Sequence, residues 1–179
     1  MAEMKVGWGA PRIHIFFVLS LERRRVLHFN VTRHPSAEWT APQGVEACPF
    51  DRPGCFLIRD HDKIYGTEFR DRVDGLGGEP IRTTFRSPWQ NGSAERWIGS
   101  QRRDRLDPVI AINERPLRRV LRSDLDSYHP DRRHLGLEKD TAEERLVEAR
   151  GNGKVISLSR VGGLHPCYSR YLRELRTAA

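Results

Sequence analysis

Two apolar segments near the start of the chain have the pattern of neighbouring strands. Ile13 to Leu19 is a nearly continuous apolar run, which is typical of a strand covered on both faces. Val26 to Thr32 alternates in part and is β-branched at its end, and a basic turn at Arg23 to Arg25 separates it from the first run. We expect the two segments to pair as a hairpin.

Strand and helix patterns alternate in the middle of the chain. Cys55 to Arg59 and Ile81 to Phe85 are short apolar strands, and between them Thr67 to Leu76 repeats its apolar residues at helical spacing. Gly77 can end that helix in a left-handed conformation. A turn-rich loop follows at Ser87 to Gly92.

Helix boundaries are signalled with unequal clarity. Ser36 can cap a helix that runs to Ala47, but Pro42 and Gly44 interrupt it, so we expect this helix to be short or broken. Two further helices are expected. One starts near Gly92 and places Ala94, Trp97 and Ile98 on one face; the other is capped by Asn113 and covers Glu114 to Tyr128.

The pattern divides the chain into three regions and defines its class. We expect an irregular tail over 1–11, an α/β core with a mixed sheet over 12–137, and a charged, loosely packed tail over 138–179. Lys and Arg number 31 against 24 Asp and Glu, which gives a net charge of +7. This excess favours an anionic partner, with nucleic acid first, although the prevalence of Arg among the basic residues could equally reflect genome composition.

Other features exclude some classes of protein. No run approaches the roughly 18 apolar residues of a membrane span, so we expect no membrane partner. Cys48, Cys55 and Cys167 are too far apart for a disulfide framework or a paired-cysteine metal site, which favours reduced thiols and a cytoplasmic location.

Two carboxylates stand where metal ligands are often found. Asp60 follows an apolar strand directly, and the carboxyl ends of strands are where open α/β sheets bind ligands. Glu95 falls in the first turn of a predicted helix, whose positive end favours the ionised form. Both could also be ordinary surface acids. Asp62, two residues further on, is the alternative to Asp60 as the metal ligand at the strand end.

Three ordered motifs resemble the catalytic core shared by retroviral-type integrases and D-D-E insertion-sequence transposases. LIRDHDKIYGTEF (57–69) is similar to the segment of the second aspartate, SPWQNGSAER (87–96) to the Pro-aromatic-x-Asn-Gly-x-x-Glu-Arg signature, and YHPDRRHLGL (128–137) to the closing element. Thirty-four residues separate Asp60 from Glu95, one fewer than is usual in the family.

The resemblance implies a ribonuclease-H-like fold and two-metal phosphoryl transfer on DNA, with Mg²⁺ or Mn²⁺ held by Asp60 and Glu95. It also implies DNA integration, recombination or transposition as the process, a bacterial-type mobile element at the nucleoid as the setting, and a homo-oligomer or a full-length transposase as partner. Basic and polar residues expected to contact nucleic acid are Asn91, Arg96, Arg102, Arg103, Arg132, Arg133 and His134.

One departure from the family pattern affects the expected activity. The first aspartate should lie on a strand before Ile13, where this chain has MAEMKVGWGAP and Glu3 as its only acid. We therefore expect the first strand and its aspartate to be missing and the chain to be inactive alone. The alternatives are a non-catalytic nucleic-acid-binding remnant, or modulator of a full-length transposase, and, less favoured, another ribonuclease-H-like nuclease.

Overall fold

A computed structural model describes residues 2–6, 13–48, 56–103, 113–146, 148, 153–160 and 165–171. The chain forms two compact units, residues 1–121 and residues 122–179, which divide inside the longest helix. Each unit is described by itself. Cys55 and the segments Pro49–Gly54 and 104–112 lie outside the described residues.

An antiparallel sheet of three strands begins the first unit. Strands β1 (Ala2–Val6), β2 (Ile13–Leu19) and β3 (Val26–Thr32) pair in that order, with Glu3 opposite Phe16 and Phe16 opposite Asn30. The predicted hairpin of β2 and β3 is confirmed. The prediction that no strand precedes Ile13 is wrong, because residues 2–6 pair with the edge of β2. The sequence of residues 2–6 has only a weak strand pattern. Pairing with the free edge of the apolar strand β2 outweighs this weak local preference.

Helix α1 (Ala37–Ala47) is continuous, contrary to the predicted break. Ser36 caps it as expected, accepting a hydrogen bond from the Trp39 backbone N–H at 3.2 Å. Gly44 is a packing residue, since a Cβ there would lie 2.5 Å from Phe69 Cε2. The glycine lets α1 approach α2 closely, and this packing outweighs the helix-breaking signals.

A β-α-β unit follows, in which β4 (Phe56–Arg59) and β5 (Glu79–Arg82) are parallel and are joined through α2 (Thr67–Gly75). Gly77 has φ of 75°, which confirms the expected left-handed stop. The fifth strand ends earlier than the predicted Ile81–Phe85. The apolar cluster that joins these elements to β2 and α1 consists of Phe16, Val18, Ala41, Ala47, Leu57, Ile64, Tyr65, Phe69 and Val73.

Helices α3 (Gly92–Gln101) and α4 (Glu114–Asp131) follow β5 in the described part of the chain. Helix α3 begins at the predicted residue and buries the predicted face of Ala94, Trp97 and Ile98. Asn113 caps α4 by accepting a hydrogen bond from the Arg115 N–H at 3.2 Å.

The second unit contains a β-hairpin in the region that was expected to be loosely packed. Strands β6 (Lys154–Arg160) and β7 (His165–Tyr171) pair antiparallel, with Ser157 opposite Tyr168. We call this hairpin the ribbon. Its apolar–polar alternation on either side of Gly162 and Gly163 is a strand signal that the charged composition of the region obscured.

The chain is therefore a mixed α/β protein, as expected. Within the described residues, its strands form three separate sheets of three, two and two strands rather than one mixed sheet. A ribonuclease-H-like sheet thus remains a prediction. Among the described residues, no helix is long and apolar enough to cross a membrane.

Candidate nucleic-acid and metal site

Asp60 stands at the carboxyl end of β4 and is half-buried. Its Oδ1 accepts a hydrogen bond from the Asp62 backbone N–H at 3.0 Å, and Asp62 Oδ1 accepts one from the Ile64 N–H at 3.2 Å. The two carboxylates thus shape consecutive turns after the strand. Each keeps an oxygen that these two bonds do not use, so either could still bind a cation.

A buried arginine stands beside Asp60. Arg59 is 5% exposed, its Nη1 donates to the Asp60 carbonyl at 3.4 Å, and its guanidinium lies 5.6 Å from the centre of the Tyr65 ring. Burial, followed by the charge of Arg82, lowers the pKa of Arg59. Burial, followed by the charges of Asp60 and Asp62, raises the pKa of Tyr65 well above its usual value. Tyr65 therefore stays neutral, and its buried ring packs against Phe16 and Phe69.

The loop after Asp60 is tied to the segment that leads to α3. His61 Nε2 donates to the Thr83 carbonyl, and the Thr83 N–H donates to the Arg59 carbonyl at 2.9 Å. Gln90 Oε1 accepts from the Thr84 N–H at 2.6 Å, while Gln90 Nε2 donates to Thr84 Oγ1 at 3.1 Å. Thr83 and Thr84, which follow the end of β5, thus join two segments. Thr83 contacts the loop after Asp60, and Thr84 contacts the 3₁₀ turn at Pro88–Asn91. We call these contacts the clamp.

Glu95 is exposed in the first turn of α3, directly after that 3₁₀ turn. Trp97 on the buried face of α3 anchors the helix to β2. It is 3% exposed, and its ring centre lies 4.2 Å from that of Phe17. At the start of α3, Ser93 Oγ accepts a hydrogen bond from Arg24 in the β2–β3 turn.

The structure places the predicted residues in two groups. Asp60, Asn91 and Glu95 belong to the clamped region of the first unit, where Arg96, Arg102 and Arg103 are exposed on or just after α3. The other three belong to the second unit: Arg132 and Arg133 are exposed, and His134 is half-buried with its ring 5.3 Å from that of Tyr128.

Two carboxylates suit one Mg²⁺ and fall short of a two-metal site. Mg²⁺ often uses one or two protein carboxylates and takes water and phosphate oxygens for the rest of its shell. Among the residues whose side chains the structure describes, no group of three or more His, Cys, Asp or Glu could hold a metal. Glu3 lies on β1, against which α3 packs, and its side chain lies outside that description.

Several residues near the site were missed by the sequence analysis. Gln90, His61 and Arg24 fix the loops, and Phe85 presents exposed aromatic surface, at 69% exposure. The glutamine stands inside the recognised SPWQNG motif, so its position was visible while its partner was not. Arg24 is marked only by its left-handed φ of 57°, which is rare for a non-glycine residue. A backbone angle cannot be seen in the sequence.

A separate polar cluster lines a cavity of about 330 Å³ in the second unit. Arg145 Nη2 donates to the Tyr168 carbonyl at 2.7 Å, and its Nη1 lies 3.5 Å from Cys167 Sγ and 3.7 Å from Asp131 Oδ1. Cys167 and Cys48 are both buried free thiols.

Comparison of structures finds a fold of the same kind in a viral nucleoprotein assembly. One similar chain belongs to the simian T-cell lymphotropic virus intasome in complex with PP2A regulatory subunit B56 gamma. The TM-score is 0.62 at 13% identity, over 93% of this chain and 64% of that one. Neither the known protein families nor the curated proteins contain a match to the sequence. The likeness shows an integrase-like fold, and this chain spans under two thirds of the intasome chain.

Proposed function

We propose that this chain is an integrase- or transposase-type core that binds DNA and, with Mg²⁺ or Mn²⁺, cleaves and rejoins its phosphodiester backbone. The observation that carries the proposal is the clamp, which joins the loop after Asp60, at the end of β4, to the 3₁₀ turn that precedes Glu95 on α3. The intasome-like fold supports the same conclusion.

In this proposal each described residue has a defined task. Asp60 and Glu95 hold the metal, which would supply Lewis-acid activation of the attacking oxygen and charge stabilisation of the leaving oxygen. Arg96, Arg102 and Arg103 neutralise backbone phosphates, which gives affinity without sequence preference. Trp89, six residues before Glu95 and 74% exposed, offers a surface on which a base can stack.

The presence of β1 changes the expectation of inactivity. Glu3 is the one acid of β1, the strand that precedes and pairs with β2, where the family resemblance places the first catalytic strand. We propose Glu3 as the third carboxylate, in place of the aspartate that the family resemblance leads one to expect. Asp and Glu supply the same ligand oxygens, so the longer side chain changes reach rather than chemistry.

The test is nicking of supercoiled plasmid by the full chain in Mn²⁺ and in Mg²⁺. Glu95→Gln and Asp60→Asn should each lower the nicking rate about 100-fold or more, because metal stabilisation is worth several kcal/mol and 1.4 kcal/mol is tenfold. Glu3→Gln should do the same, whereas Glu3→Asp should retain or raise activity. Glu68→Gln, which removes an exposed carboxylate on α2, is the matched control and should leave the rate unchanged.

A second function is favoured by the lack of a three-ligand group among the described side chains. The chain would then bind DNA without cutting it, alone or as a partner of a full-length transposase. Salt-sensitive DNA binding without nicking, unaffected by Glu95→Gln, would identify that function. Absence of both binding and nicking would overturn the two functions together.

A further inference from the structure

Two arginines lie side by side at the carboxyl end of the sheet formed by β4 and β5. Arg59 is the last residue of β4, Arg82 is the last residue of β5, and the parallel register pairs them directly. Paired residues of neighbouring strands project from the same face of a sheet, so the two side chains leave it together. Two like charges at such a distance repel each other, and a negative charge between them would relieve the repulsion.

The acids around this pair do not neutralise it. Within the described residues, neither Arg59 nor Arg82 enters an ion pair, whereas Arg70 on α2 has Asp71 at 3.5 Å. Asp60 raises the pKa of Arg59 less than Arg82 lowers it, and Arg70 lowers that pKa as well. The surroundings of Arg59 therefore carry a positive charge that Asp60 offsets only in part.

Arg59 also has a donor that no group in the described part of the chain satisfies. Its side chain is 5% exposed, and its Nε is a buried atom without a hydrogen-bond partner. The hydroxyl of Tyr65, whose ring centre lies 5.6 Å from the Arg59 guanidinium, is likewise buried and without a partner. An unpaired buried donor costs free energy, and an uncompensated buried charge costs more. An anion bound to Arg59 supplies both the missing acceptor and the missing charge.

We propose that Arg59 and Arg82 form a binding site for a free phosphate-type oxyanion at the carboxyl end of β4 and β5. Guanidinium groups bind pairs of phosphate oxygens through parallel N–H donors. Two positive charges favour a doubly charged oxyanion over a singly charged carboxylate. Arg82 is exposed and receives the anion from solvent, while the nearly buried Arg59 binds its inner side.

The burial of Arg59 favours a free ion over a phosphate of a nucleic acid. A backbone phosphate is linked to two sugars that must stay near the protein surface, whereas a free ion carries no such attachment. The two sources present the same oxygens, so the experiment has to separate them. The proposal requires neither cleavage of DNA nor a metal at Asp60, and it can therefore fail or succeed independently of the proposed function.

The test is isothermal titration of the full chain with inorganic phosphate, at an ionic strength held constant with sodium chloride. Arg82→Gln should weaken phosphate binding roughly tenfold or more, because it removes a charge-assisted hydrogen-bond donor. Arg82→Lys keeps the charge without the planar fork and should lose less affinity than Arg82→Gln. Arg59→Met, which keeps the apolar stem, should weaken binding at least as much as Arg82→Gln. Arg119→Gln, at an exposed position of α4, is the matched control and should change the affinity less than twofold.

The position of Arg82 keeps the proposal falsifiable even where Arg59→Met does not fold, because Arg82 is exposed and circular dichroism can confirm that its variants fold. Absence of phosphate binding by the wild-type chain, or equal affinity in Arg82→Gln, would overturn the proposal.

A fluorescein-labelled 30-base-pair duplex provides the second arm of the experiment. Duplex binding that Arg82→Gln weakens, in a chain that does not bind inorganic phosphate, would overturn the free ion in favour of a backbone phosphate. Phosphate binding that depends on Arg82, in a chain that neither binds nor nicks DNA, would support the oxyanion site and overturn the proposed function instead.

Discussion

The two compact units differ in the interactions that stabilise each of them internally. In the first unit, Phe16, Phe17 and Phe69 are at most 1% exposed, and the elements around the candidate site are fixed by apolar burial. In the second unit, Arg145, Asp131 and Glu148 hold the ribbon through polar contacts at the border of a cavity. Apolar burial resists salt, whereas exposed polar contacts compete with water and ions. The first arrangement suits a site that needs fixed geometry, and the second suits an adaptable surface.

Phe69→Ala should show the largest effect, because Phe69 is fully buried against Tyr65 and Gly44. Truncating a buried phenylalanine costs about 3–5 kcal/mol of unfolding free energy. Urea unfolding followed by circular dichroism measures it. Phe85→Ala, at a residue 69% exposed, is the control and should cost less than about 0.5 kcal/mol. A loss below about 1 kcal/mol at Phe69 would contradict the packing described for α1 and α2.

Arg145→Met should release the ribbon while sparing the first unit. The substitution keeps the apolar stem but removes the bonds to the Tyr168 carbonyl and Cys167 Sγ, at a cost of about 1–3 kcal/mol. Hydrogen exchange read by mass spectrometry should show faster exchange in β6 and β7 and no change in β2 and β3. Arg122→Met, at an exposed position of α4, should leave both regions unchanged. Equal acceleration in β2 and β3 would contradict the assignment of the Arg145 contacts to the second unit alone.

Gln90→Ala should produce the smallest change and confine it to the clamp. Losing the bonds to the Thr84 N–H and Oγ1 should cost about 0.5–1.5 kcal/mol locally. Amides of residues 83–92 should then exchange faster, with the urea midpoint nearly unchanged. Gln90→Glu keeps an acceptor for the Thr84 N–H and should preserve most of the protection. A lowered urea midpoint for Gln90→Ala would show that polar contacts contribute more to the unfolding free energy of the first unit than its buried core suggests.

The elements with strong local patterns were predictable from the sequence. The apolar run of β2, the Gly77 stop and the buried face of α3 each follow from spacing within a few residues. β1 could not be found this way, because its five residues gain their partner only from the edge of β2. The continuity of α1 was equally hidden, since Gly44 is explained by Phe69, a residue on another helix.

The candidate site was predictable in its chemistry and not in its supports. Asp60 and Glu95 stand out through their motifs, and the structure puts them at the strand end and helix start that the sequence indicated. Their metal and DNA roles stay predictions. The contacts of Gln90, His61 and Arg24 join segments that no local pattern connects, so only the folded chain identifies them.

The sequence order of the contacts has a kinetic consequence. β1 to β3 pair within residues 2–32, and β4 and β5 pair within residues 56–82, so both sheets can form from nearby segments at low loop-closure cost. The contacts of Trp97 with Phe17 and of Ser93 with Arg24 span 80 and 69 residues. Long-range contacts of this kind form late. The end of β4 with Asp60 and the start of α3 with Glu95 therefore fold at different times. A growing chain completes the candidate site only after α3 has packed against β2.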